Sequence, residues 1–241
     1  MELRERLEEI SRENGATLFG VADLLPHQEY IREIYGPALL DYPRAISIGV
    51  PYPREVVNQL LQGPTHTYLY YYKILNTKLD DIALQVAVAL EAEGYRSFPV
   101  PASQRVTDDR LAGIFSHRMA AHLAGLGWIG RNSSLITPAY GPRLRLVTIL
   151  TDAPLAGDAP YEGEGCGDCM RCVAACPSGA ITGEPFRRDD PLEKRFIGHL
   201  CDEHLSRVRN TFGKRICGKC LASCPYGLEP EGKGGSDNEE K

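Results

Sequence analysis

The chain has 241 residues, of which 43% are apolar and 24% charged, and a formal charge of −5. That balance excludes a disordered polyelectrolyte, and net acidity argues against a surface built throughout to grip nucleic acid. No apolar run approaches membrane-spanning length, so no membrane contact is expected. The charged opening Met1-Glu-Leu-Arg-Glu-Arg lacks the apolar core of a signal peptide, so a cytoplasmic protein is expected.

Taken in chain order, Leu3, Leu7 and Ile10 repeat at helical spacing and Gly15 ends that helix. Residues 16–22 and 45–50 read as strands, the second stopped by Pro51 and Pro53. The longest helix is predicted over 68–92, with Leu75, Leu79, Ile82, Val86 and Leu90 on one stripe and Gly94 as its stop. Its first turn carries Tyr68, Tyr70, Tyr71 and Tyr72, which read either as packing or as a stacking or radical site. Extended structure resumes over 95–100 and a helix follows over 114–123. Gly125-Leu-Gly-Trp-Ile-Gly130 follows a helix and precedes a strand, the reverse of the dinucleotide-binding order. Its glycines serve either a tight turn or the close approach of backbone to a large flat ligand. Residues 134–137 and 144–151 read as strands, the latter central because its apolar run is nearly continuous. Strands alternating with helices argue a mixed α/β or α+β sandwich, and an α+β fold is expected.

All eight cysteines lie in the rear third. The first run is Cys166-x2-Cys169-x2-Cys172-x3-Cys176 followed by Pro177; the second is Cys217-x2-Cys220-x3-Cys224 followed by Pro225, with Cys201 upstream. A C-x2-C-x2-C-x3-C-P run is the bacterial two-cluster ferredoxin pattern, whose fourth cysteine serves the other cube. One cluster then takes Cys166, Cys169, Cys172 and Cys224, and the other Cys217, Cys220, Cys201 and Cys176, giving two [4Fe–4S] clusters. Disulfides belong to oxidising compartments, and zinc pairs rarely end in Cys-Pro with a fourth cysteine offset by three. Between Arg187 and Lys219, nine Lys or Arg face five Asp or Glu. This stretch is either a solvated face that offsets the clusters or a dock for an acidic electron donor. Residues 229–241 read as a disordered tail.

Several segments together resemble the epoxyqueuosine reductase family: Gly125-Leu-Gly-Trp-Ile-Gly-Arg-Asn-Ser-Ser-Leu-Ile-Thr-Pro138, Leu150-Thr-Asp-Ala-Pro-Leu155, Pro43-Arg-Ala-Ile-Ser-Ile-Gly-Val-Pro-Tyr52, the stretch 94–101, and both cysteine runs. The family is cobalamin-dependent and related to the reductive dehalogenases. The resemblance implies a nitroreductase-like front domain over 1–157 that holds a corrinoid, and a ferredoxin-like two-cluster domain over 158–228. It implies an external low-potential electron donor and a small-molecule or modified-nucleoside substrate. For the corrinoid it points to Gly127, Trp128, Gly130, Arg131, Asn132 and Ser133. The family's tRNA-processing members continue into tRNA-gripping helical repeats where this chain ends, so full-length tRNA is not expected as substrate. The family's catalytic aspartate falls in register at Leu111, with Asp108 and Asp109 nearby, and His117 stands where the family tends to have glutamate. Asp109 and His117 are therefore the candidate proton donors, the alternative for each being a surface or helix-cap role.

Overall fold

A computed structural model describes residues 2–106, 111–163, 165–188 and 190–228. The chain runs α1 (Leu3–Glu13), β1 (Leu18–Asp23), α2 (Gln28–Tyr35), β2 (Arg44–Pro51), α3 (Arg54–Asn58), α4 (His66–Ala92) and β3 (Ser97–Val100). It continues with α5 (His117–Leu123), β4 (Trp128–Ile129), β5 (Leu135–Ile136), β6 (Leu144–Thr151), α6 (Arg171–Ala174), α7 (Gly198–Phe212) and α8 (Lys219–Ala222).

Four antiparallel strands in the order β1-β2-β6-β3 make the main sheet. As the apolar run predicts, β6 is central, pairing with β2 from Arg44↔Thr151 to Pro51↔Leu144 and with β3 on its other side. Its side chains alternate between two covered faces. Val147 and Ile149 meet the α1 and α4 side, and Leu150 meets the α5 side. The stripe Leu75, Leu79, Ile82, Val86 and Leu90 is buried as predicted. Thr65 caps α4 by accepting the Tyr68 N–H at 3.1 Å, and beyond the helix Gly94 adopts φ +85°.

Several boundaries differ from expectation by a few residues, two of them for a reason the structure shows. β2 runs on through Pro51, and α5 begins at His117 because the Ser116 hydroxyl accepts the Met119 N–H at 3.3 Å. The cysteine-bearing segment shares its apolar packing with the front. Ile216 and Ala222 lie in the same buried cluster as Leu60, Tyr68 and Leu75. Among the described residues no helix is long and apolar enough to cross a membrane. Asp108, Asp109 and the stretch 229–241 lie outside the described residues.

Candidate functional site

All eight cysteines are free thiols. Cys166, Cys169, Cys172 and Cys224 line one pocket of about 20 Å³. Burial pushes the Cys224 thiol up to about 11; the Tyr226 backbone and Arg143 oppose the rise, while Cys166 and Cys172 add to it. Burial likewise raises Cys172, with Cys166 and Cys169 as its charged neighbours. The other four form a second neighbourhood. Burial drives Cys201 up to about 11, reinforced by Cys217, Cys176 and Asp202. Burial also raises Cys220, whose sulfur neighbours are Cys217, Cys201, Cys172 and Cys176. Cys224 thus lines the pocket of the first run, and Cys176 lies within electrostatic reach of Cys201, Cys217 and Cys220.

Among the described residues no three His, Cys, Asp or Glu side chains converge on a point fit for one metal ion. The donor chemistry fits a larger body. Cys172 and Cys224, both raised chiefly by burial, are poor thiolates until a positive core compensates them. A [4Fe–4S] core supplies that charge to four separated sulfurs.

The glycine-rich segment holds the cysteine runs to the sheet. It folds as the β4–β5 hairpin, with Gly130 and Ser133 closing a turn: the Ser133 N–H donates to the Gly130 carbonyl at 2.9 Å, and the Gly130 N–H to Ser134 at 2.9 Å. Ser133 is buried and sits at φ +56°, an uncommon position for a residue other than glycine. Arg131 donates to the carbonyl of Gly183 and, at 2.6 Å, to that of Gly167. Asn132 Nδ2 donates to the Cys220 carbonyl at 3.3 Å. The Ser133 carbonyl accepts from Arg118, and its hydroxyl from Arg195 Nε at 3.2 Å. Trp128 packs between Tyr161 and Tyr226, at ring separations of 5.4 and 4.9 Å.

Sequence reasoning offered this segment as a corrinoid cradle, and its fit can be tested. A Cβ on Gly127 would overlap the Ile136 carbonyl, and one on Gly125 (φ +71°) the Ala159 carbonyl. The glycines are required by the chain's own close approach. The hydrogen bonds described above for Arg131, Asn132 and Ser133 tie the chain to itself.

His117 is half-buried, with both ring nitrogens engaged. Nε2 lies 3.1 Å from the Pro101 carbonyl and Nδ1 2.9 Å from Thr148 Oγ1. A carbonyl only accepts, so Nε2 carries the proton and Nδ1 accepts the threonine hydroxyl. Burial lowers this histidine to about 4, with Arg145 and Arg118 adding to the fall and the Pro101 carbonyl opposing it. The ring is neutral near pH 7 and ties Pro101 to β6.

Two features escaped sequence reasoning. Arg143, only 2% exposed, spans from the start of β6 to three carbonyls behind the second run: Ala222 at 2.8 Å, Cys224 at 3.0 Å and Tyr226 at 2.5 Å. The second feature is a polar pocket of about 210 Å³ lined by Tyr72, Asn76, Asp80, Ser103 and Lys214 among others. The Tyr72 hydroxyl bonds to Ser103, and its ring lies 4.7 Å from the Arg145 guanidinium. Arg145 Nε is held by Asn76 Oδ1 at 2.8 Å. Burial alone would raise the Tyr72 phenol, but Arg145, Ser103 and Lys214 outweigh it and the phenol is lowered. Tyr68, 6.4 Å from Tyr72 between ring centres, reaches the Cys220 neighbourhood. Of the tyrosine cluster, Tyr68 is therefore core, Tyr72 lines the pocket and Tyr70 is exposed.

No family model matches the chain. Among curated proteins, it is 32% identical over 212 residues to epoxyqueuosine reductase of Synechocystis sp., covering 83% of this chain and 67% of that protein. To the Pseudomonas aeruginosa enzyme of the same name it is 28% identical over 208 residues, covering 79% of this chain and 54% of the relative. The chain thus spans about half the length of several curated relatives it matches. Its fold is similar to a catabolic reductive dehalogenase (TM-score 0.73, 19% identity, 94% of this chain and 32% of the other). It is also similar to Streptococcus thermophilus epoxyqueuosine reductase (TM-score 0.60, 20% identity, 95% and 67%). With identity to the Synechocystis protein sustained across two thirds of that relative, the chain belongs to the epoxyqueuosine reductase family.

Proposed function

We propose that the chain is an iron–sulfur oxidoreductase that takes single electrons from an external low-potential donor and delivers them to an acceptor held in its front half. What supports this is the pocket lined by Cys166, Cys169, Cys172 and Cys224, in which the last cysteine of the second run joins three of the first. In this reading residues 1–157 form a nitroreductase-like unit and 158–228 a ferredoxin-like one. Cys166, Cys169, Cys172 and Cys224 hold one [4Fe–4S] cluster, and Cys176, Cys201, Cys217 and Cys220 the other. The bound clusters supply one-electron storage at low potential. The chain's own residues separate the thiol sets, tie them to the sheet and shape the pocket beside the second set. There the Tyr72 hydroxyl, its proton loosened by Arg145, is placed to hold or give a proton.

The relatives are named for epoxyqueuosine reduction, and one solved relative is in complex with an epoxyqueuosine-modified tRNA-Tyr stem loop. A reductive dehalogenase of similar fold is described by B12-dependent dehalogenation. A modified nucleoside or small molecule is proposed as substrate here, because a charge of −5 opposes the phosphate contacts that full-length tRNA requires. Efficient conversion of epoxyqueuosine in full-length tRNA would overturn that choice. Anaerobic reconstitution should yield about eight irons per chain. Tightly bound zinc, or about four irons with four free thiols, would sink the two-cluster reading. Titration with cob(II)alamin then separates a corrinoid enzyme, which shifts its spectrum to a base-off form, from a carrier that reduces another protein's cofactor.

A further inference from the structure

We infer that the two thiol sets are unequal by construction: Trp128, Arg131 and Arg143 set a collar of N–H donors and positive charge beside Cys166, Cys169, Cys172 and Cys224, so the cluster there is the more easily reduced. This rests on the two-cluster reading above.

The starting observation is a set of missing acceptors. Among the described residues five buried side-chain polar atoms have no partner, and three of them are Trp128 Nε1, Arg131 Nε and Arg143 Nε. Each is a donor only, so what each lacks is an acceptor. A buried donor left unmade costs about 1–3 kcal/mol, and native folds keep few of them. All three gather near the first set. Arg131 lines its pocket. Trp128 shares an apolar cluster with Cys224 and Cys166. Arg143 donates through its terminal nitrogen to the Cys224 carbonyl at 3.0 Å. The terminal nitrogens of both arginines are spent on carbonyls, which fixes each guanidinium and leaves its Nε–H over. Thiolate and sulfide sulfurs of an anionic cluster are the acceptors such donors fit.

The second set has a different charge environment. The Asp202 carboxylate adds negative charge beside Cys201, although Arg105 at 2.6 Å and Arg215 at 3.0 Å share it. Lys219 stands near Cys217. None of the three unpartnered N–H groups lies among these residues. Reduction adds one electron, drawn from the external one-electron donor, and makes or breaks no bond. Hydrogen bonds to the sulfurs and nearby positive charge favour the more negative, reduced state and raise the potential. An arriving electron therefore rests on the first cluster, whose Cys166 and Cys169 are partly exposed.

The test is an EPR-monitored potentiometric titration of the reconstituted full chain, with iron counted in every sample. Two waves are expected, and Cys169→Ala should abolish the higher one. Arg131→Gln should lower that wave so that the reduced-to-oxidised ratio at the wild-type midpoint falls about tenfold, 59 mV for a one-electron couple. Trp128→Phe keeps the ring and removes the N–H; it should move the same wave in the same direction by less. The lower wave should stay in place in both variants. Eight irons and two waves, with Cys169→Ala removing the lower wave or with neither variant moving the higher one, would overturn the inference and leave the two-cluster reading intact. A single wave with about four irons would overturn both.

Discussion

The front sheet and the cysteine-bearing segment are held by different forces. Around β6 and α4, residues with no exposed surface such as Leu79, Ile82, Val147 and Ile149 interlock, and stability comes from apolar area withdrawn from water. The rear segment has few such residues: α7 buries none of its fifteen fully. There the backbone is tied by side chains that reach across the sequence, Arg131 to Gly167 and Gly183, Asn132 to Cys220, and Arg143 to three carbonyls. The lesson is one of tolerance. A packed sheet loses stability by degrees, whereas a segment of arginine ties and metal thiolates depends on a few groups with no substitute.

The sharpest way to break the comparison is at the thiols. Cys176→Ala and Cys201→Ala should each remove the cluster of the second run and about half the iron, leaving the other cluster's EPR signal. If Cys176→Ala instead removed the cluster held by Cys166, Cys169 and Cys172, the crossed assignment would be wrong. In the front, Leu79→Ala should cost about 2–5 kcal/mol in denaturant unfolding while both EPR signals persist at low denaturant. Arg143→Met should come next. It strips donors from three carbonyls, each bond worth about 1 kcal/mol, and so costs about 3 kcal/mol. Unlike Leu79→Ala it should speed iron loss to a chelator. Equal iron release from both variants would mean that the two regions do not differ in the way described.

This division also decides what could be read from the sequence. β6 and α4 were legible because burial imposes a period: a nearly continuous apolar run for a strand covered on both faces, and a stripe at 3.6 residues for a helix covered on one. The eight cysteines were legible because ligand geometry imposes spacing. α7 was not, since its residues are only partly buried and no side chain caps its start. The basic stretch around it offered two readings. Part of it is bound internally, Lys194 to Asp190 at 3.0 Å, Arg215 to Asp202, and Arg188 to His27. Arg143 and the pairing of Tyr72 with Arg145 left no trace in any local pattern, because a side chain reaching a distant carbonyl or ring obeys no period. The glycines of the 125–130 segment were visible, but which neighbour they admit is a property of the fold: it is the chain's own Ile136 and Ala159.

The smallest effect belongs to His117, which joins β6 to the strand end at Pro101, and it appears only as pH falls. The folded state holds this imidazole at about 4, while the unfolded chain keeps the ordinary value of 6.5. Between those values the unfolded state binds the extra proton, so stability rises with pH there and is lost on acidification from 6.5 toward 4. By pH 5 the loss relative to pH 8 should be about 2 kcal/mol. His117→Gln cannot take up that proton, so its unfolding free energy should fall less over the same window, whatever its stability at pH 8. The measurement is denaturant unfolding of the cluster-loaded protein at pH 8, 6 and 5, with iron content checked at each pH so that acid loss of metal is not mistaken for titration of the ring. If wild type and variant lose stability in parallel, His117 is not the group that responds. If the wild type gains stability on acidification, the ring is charged in the folded state. Nδ1 could then no longer accept from Thr148, and the arrangement that ties Pro101 to β6 would be other than the one described.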